Sequence, residues 1–122
     1  MGEPVVSLIG QADLPMGFTY PASFVRVVGL GLVDFEPWQV LSGELLYFQY
    51  RGLGDRYPGR GLVPFARRQD NDDVACWTVG SPEVLLIHDF ADPGYELRET
   101  LPSFYDWLRR AVEDLVEFEP DG

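Results

Sequence analysis

Gly61-Leu-Val-Pro-Phe-Ala-Arg-Arg-Gln-Asp-Asn-Asp-Asp-Val-Ala-Cys-Trp-Thr-Val79 decides the fold, because it sets two apolar runs either side of a short polar turn. Leu62 to Phe65 and Val74 to Val79 are rich in β-branched and aromatic residues, which suit a pleated, half-buried surface. Asp70, Asn71 and Asp72 satisfy turn amides with their own side chains and tolerate left-handed backbone. The stretch reads as a β-hairpin, with Asn71 the expected left-handed residue and Arg68 expected to pair across the turn with Asp73. Pro64 has no amide hydrogen for a ladder, so the first strand is expected either to be an edge there or to begin just after it.

Working outward, Gly80-Ser-Pro is a turn, and Glu83-Val-Leu-Leu-Ile-His-Asp-Phe is a third strand. Leu85 and Ile87 fall on one side of it and Val84, Leu86 and His88 on the other; Ala75, Trp77 and Val79 likewise oppose Val74, Cys76 and Thr78. Strands apolar on both sides are buried on both, which predicts cover on each face of the sheet. The last helix begins at Ser103, with Asp106 three residues on approximating a capping box. Phe104, Trp107, Leu108, Ala111, Val112 and Leu115 form its apolar stripe, and Asp106 to Arg110 and Arg109 to Glu113 are expected ion pairs.

Upstream, Thr19-Tyr-Pro-Ala-Ser-Phe resembles a helix start, with Phe24, Val27 and Val28 at helical spacing until Gly29 and Gly31, though the valines make a strand a competing reading. Glu36-Pro-Trp-Gln-Val-Leu suits a short strand or tight connection, with Trp38 in the core. Leu46, Tyr50 and Leu53 predict a helix from about Gly43 to Arg51, although strand alternation fits nearly as well, and Gly52, Gly54, Pro58, Gly59 and Gly61 then predict a loop holding Asp55, Arg56 and Arg60. Val5 to Ile9 suits a strand. One domain over residues 1–122 is expected, with residues 1–19 an N-terminal extension.

Composition bounds the function. The 46% hydrophobic content and 14% aromatic content exclude general disorder, and no apolar run approaches the ~20 residues that span a bilayer. A single cysteine cannot form an internal disulfide, and the N-terminus lacks the pattern of a secretory signal, so a cytoplasmic location is expected. The 20 acidic and nine basic side chains, all nine of them Arg, give a formal net charge of -11. Such a chain repels nucleic acid and draws in basic partners from a distance, besides keeping itself soluble.

Catalytic and metal patterns are weak. Gly29-Leu-Gly31 lacks the third glycine of a dinucleotide loop, since position 34 is Asp34. Asp70 to Asp73 invites calcium, but Val74, Ala75 and Ser81 stand where an EF-hand loop requires an oxygen ligand, a glycine and a glutamate. His88-Asp89 could orient an imidazole, yet no nucleophile is adjacent, and Cys76 lies mid-strand. No enzyme activity, metal or cofactor is expected. Asp70, Asn71, Asp72, Asp73, Asp89 and Asp92 lie at or near strand ends and turns, where side chains reach solvent, and are the candidate partner-binding residues.

Leu62-Val-Pro-Phe-Ala-Arg-Arg-Gln-Asp-Asn-Asp-Asp-Val-Ala-Cys-Trp77 resembles the central signature of the SUKH superfamily, an apolar-Ile/Val-Pro-Phe segment leading through an Asp-containing turn to an apolar strand. Tyr20-Pro-Ala-Ser-Phe24 and Ser103-Phe-Tyr-Asp-Trp-Leu108 look like the early and closing helices of that family. The likeness spans roughly residues 20 to 116, and the segment before it has no counterpart. It implies an α+β fold with a mostly antiparallel central sheet packed by helices, and no catalysis. It further implies a protein-binding role, since the superfamily includes bacterial immunity proteins that neutralise toxin domains, often nucleases, and a fungal regulator of cell-wall synthesis. A regulatory scaffold binding a host protein or itself is the alternative.

Overall fold

The hairpin forms as β3 (Val63–Arg68) and β4 (Asp73–Trp77), with Val63 opposite Trp77 and Arg67 opposite Val74. The computed structural model, which describes residues 6–118, extends this hairpin into a six-stranded antiparallel sheet in the order β1 to β6. β1 (Asp34–Phe35) and β2 (Trp38–Val40) add on the β3 side, and β5 (Val84–His88) and β6 (Leu97–Leu101) on the β4 side. The helices are α1 (Ala22–Gly29), α2 (Gly43–Arg56) and α3 (Phe104–Glu117). The architecture is α+β, as expected. β3 begins one residue before Pro64, at Val63, but the β2 ladder reaches only Ala66 and a bulge separates Pro64 from Ala66 on the other side, so the missing amide breaks no continuous ladder.

The turn differs in detail from its expectation. Asp72, not Asn71, takes the left-handed backbone at φ 61°, while Asn71 accepts a hydrogen bond from the Asp73 amide at 3.0 Å. Arg68 pairs with Asp70 at 2.7 Å and Asp114 at 3.2 Å instead of Asp73. It thereby ties the turn to α3, a long-range partner that spacing within the hairpin could not reveal.

Strand alternation divides the interior. Ala75 and Trp77 of β4, with Val84 and Leu86 of β5, join the larger cluster, to which α1 supplies Phe24 and α3 supplies Phe104 and Trp107. Phe65 stacks on Trp77 with centroids 4.1 Å apart, and Phe24 meets Trp77 edge-on at 5.0 Å. Val74, Cys76 and Ile87 join a second cluster closed by Leu62 and by Leu53 and Tyr57 from the α2 end. Both sides of the hairpin's second strand are therefore buried, as its sequence predicted, and Trp38 is core as well.

Several local expectations need correction. Residues 6–10 form no strand, and Val5 lies outside the described residues. Within the N-terminal stretch, Ile9, Leu14 and Phe18 join the larger cluster. Ser42 precedes α2 but donates no cap; its hydroxyl accepts from the Ser7 amide at 2.7 Å and so straps this stretch down. α2 runs through Gly52 and Gly54 to Arg56, because burial of Leu53 outweighs the ~1 kcal/mol that each interior glycine costs a helix. On α3, Ser103 does accept from the Asp106 amide at 3.3 Å, but Arg110 reaches Glu99 of β6 at 2.8 Å and Arg109 pairs with Asp106. Val112 and Leu115, expected in the apolar stripe, are exposed.

Candidate functional site

The chain's least ordinary local chemistry lies at the end of β5. Asp89 is buried, and each of its oxygens is occupied: Arg56 donates from Nε and Nη2 at 2.6 Å each, Gln49 Nε2 at 2.6 Å, and the Phe90 amide at 2.9 Å. The carboxylate raises the Arg56 guanidinium further above its ordinary value, chiefly through these hydrogen bonds. A buried acid needs such a set, because an unpaired charge here would keep its full desolvation penalty.

Phe90 follows immediately with φ 72°, a left-handed conformation that costs a bulky residue about 1–2 kcal/mol. The twist turns its ring outward over Arg56, whose Cζ lies 4.2 Å from the ring centroid. Asp89, Arg56 and Phe90 line a groove of about 280 Å³ between α2 and the sheet, with Gln39 and Arg67 on its sheet side and Leu45, Phe48 and Gln49 on its helix side. Leu45, Phe48 and Phe90 are 70%, 77% and 69% exposed. Three large exposed apolar groups gather around this one concavity, and such patches mark interaction surfaces.

The six residues singled out in the sequence separate here. Asp72 is on the groove and pairs with Arg67 at 3.1 Å; Asp70 and Asn71 lie exposed in the same turn, and Asp92 is exposed beyond Phe90. Asp73 and Asp89 do not reach solvent as expected of strand-end acids. Asp73 accepts from Arg98 at 2.7 Å and lies 3.1 Å from His88 Nδ1, so His88 is oriented by Asp73 and not by its neighbour Asp89. Cys76 is sealed from solvent, and burial first, then the Asp89 charge, push its thiol well up.

Leu45, Phe48, Gln49, Arg56 and Phe90 had no functional reading in the sequence. The signal present was that Leu45 and Phe48 fall off the Leu46, Tyr50, Leu53 stripe, which leaves them facing away from the core. Among the described residues no three His, Cys, Asp or Glu side chains group so as to hold a metal ion, and no helix is long and apolar enough to cross a membrane.

Fold and groove together describe a small α+β domain with an apolar-rimmed surface concavity. No protein-family model, curated protein or solved structure matches this chain.

Proposed function

We propose that this chain is a non-enzymatic protein-binding module of the immunity type, which in the cytoplasm binds and neutralises a basic toxin domain such as a nuclease. The observation that carries this is how its charges are spent. Arg56, Arg60, Arg67, Arg68, Arg98, Arg109 and Arg110 all sit in ion pairs, leaving Arg26 and Arg51 as the other two. Outside any ion pair among the described residues stand nine carboxylates: Asp13, Asp34, Glu36, Glu44, Asp55, Glu83, Asp92, Glu113 and Glu117. The positive charge serves the fold, and the negative excess faces outward. A nuclease must present positive potential to phosphates, so an inhibitor covering that surface gains encounter rate and specificity from this excess.

The likeness of the Leu62–Trp77 hairpin to the SUKH signature supports the same role. The non-catalytic part is supported by a fully buried Cys76 and by a His88 already engaged by Asp73 and Arg98. The test is affinity capture from the native cell at low and then high salt, followed by reconstitution of the leading pair from purified proteins. The expected partner is basic, is released by salt, and loses its activity in the complex. An acidic partner, or one whose activity is untouched, contradicts the immunity reading and favours a regulatory scaffold.

A further inference from the structure

Phe48 lines two concavities at once: the α2–sheet groove that also holds Phe90, and an adjoining depression that holds Asp13 and Glu44. It is therefore a ridge between them, with Leu45 one helical turn earlier on the same side. Aromatic side chains standing proud beside pockets are the groups on which interface energy concentrates.

We propose that Leu45, Phe48 and Phe90 form the docking surface of this chain, and that its occupant is a segment of a basic protein carrying a large apolar side chain between lysine or arginine residues. This rests on the protein-binding reading above and adds the place and the chemistry. Charge complementarity selects the occupant. Inside the groove the guanidinium groups of Arg56 and Arg67 are taken up by Asp89 and Asp72. The charges left beside the apolar groups are Asp13 and Glu44 next to Phe48, and Asp92 two residues past Phe90, against Arg51, which lies over the Tyr47 ring. An apolar side chain of the partner seats between the Phe48 and Phe90 rings, and its flanking cations meet these carboxylates. A second copy of the chain would instead bring another formal charge of -11 against the same face.

The backbone at Phe90 gives the surface a test separable from folding. Phe90→Gly relieves the left-handed strain but loosens the unfolded chain and loses the contact with Arg56, so its stability should stay close to wild type. The probe is a displayed library of random 16-residue peptides panned against the full chain. Enriched peptides should share an aromatic or leucine flanked by Lys or Arg, and should bind Phe48→Ala and Phe90→Gly about tenfold or more weakly while Glu83→Gln, outside both concavities, binds as wild type does. Enrichment without basic residues, binding indifferent to both variants, or no binder at all overturns the proposal. So does a concentration-dependent dimer of the wild type that Phe48→Ala dissolves, since the occupant is then a second copy. If a basic partner captured from the native cell binds both variants as tightly as wild type, the docking surface is wrong while the immunity reading stands. Absence of any basic partner removes that reading itself.

Discussion

Gly52 leaves open the space in which the Arg56 guanidinium lies: a methyl group at position 52 would stand 2.6 Å from Nη2 and 3.1 Å from Nη1. An interior glycine that weakens α2 is thus what lets Arg56 fold back along the helix onto Asp89. Gly52→Ala would gain about 1 kcal/mol of helix propensity but push the guanidinium off a buried carboxylate. Urea denaturation should show a net loss of about 1–2 kcal/mol, because partial exposure of the charge that remains outweighs the helix gain. A variant more stable than wild type would mean that Arg56 reaches Asp89 by another path.

Removing Arg56 outright leaves Asp89 with Gln49 and the Phe90 amide alone. The Arg56 side chain is 31% exposed, so water partly screens the pair, and Arg56→Met should cost about 2–3 kcal/mol, less than a fully buried pair would. Arg56→Met combined with Asp89→Leu should recover most of that loss, since no buried charge is left unpaired. A double variant no better than the single one would show that Asp89 holds the β5 end through the Phe90 amide, independently of Arg56.

The hairpin and α3 were legible because their signals are local: apolar runs around Asp70 to Asp73, and a Ser103 cap ahead of a helical stripe. The end of α2 was not, since Gly52 and Gly54 read as breakers while the burial of Leu53 that overrides them is tertiary. β1 and β6 are short or largely polar strands, which pairing with β2 and β5 creates more than their own residues do. The groove was illegible for a related reason. Asp89 meets Arg56 and Gln49 from 33 and 40 residues away, and placing Arg56 in a loop concealed the link. Of the six residues chosen for their position at strand ends and turns, two, Asp73 and Asp89, are ones the fold uses internally.

Trp77 and Trp107 are buried at the centre of the aromatic cluster, and neither indole N–H has a hydrogen-bond acceptor among the described residues. Truncation to Ala at either position should cost about 3–5 kcal/mol, enough to unfold a marginally stable domain. Substitution by Phe should cost less than half as much, because it also removes an unmet donor. Thermal melts of the four variants check the ranking, and equal losses for Phe and Ala would show that the N–H is satisfied.

Acid should destabilise the β6 side first. Hydrogen bonds from Arg110 hold Glu99 below the usual carboxylate range, and the amides of Glu96 itself and Gly94, with Arg60, hold Glu96 there against desolvation. Both groups have lowered folded values, so their contribution is present above the ordinary carboxylate value and is lost as pH falls through the lowered one. Melting temperature should therefore drop as pH falls below about 4.5, and Glu96→Gln with Glu99→Gln should flatten that drop. An unchanged slope in the double variant would assign the acid transition to other carboxylates.

The central claim, that an outward negative excess brings this chain to a basic protein, is tested most directly by the association rate with the captured partner as ionic strength rises. Salt shortens the Debye length from about 8 Å at physiological strength to about 3 Å at 1 M, so stopped-flow rates should fall steeply across that range while dissociation changes little. Reversing Glu44 and Asp92 to Lys should lower the low-salt rate and flatten its salt dependence. An association rate indifferent to salt and to those reversals would contradict the account.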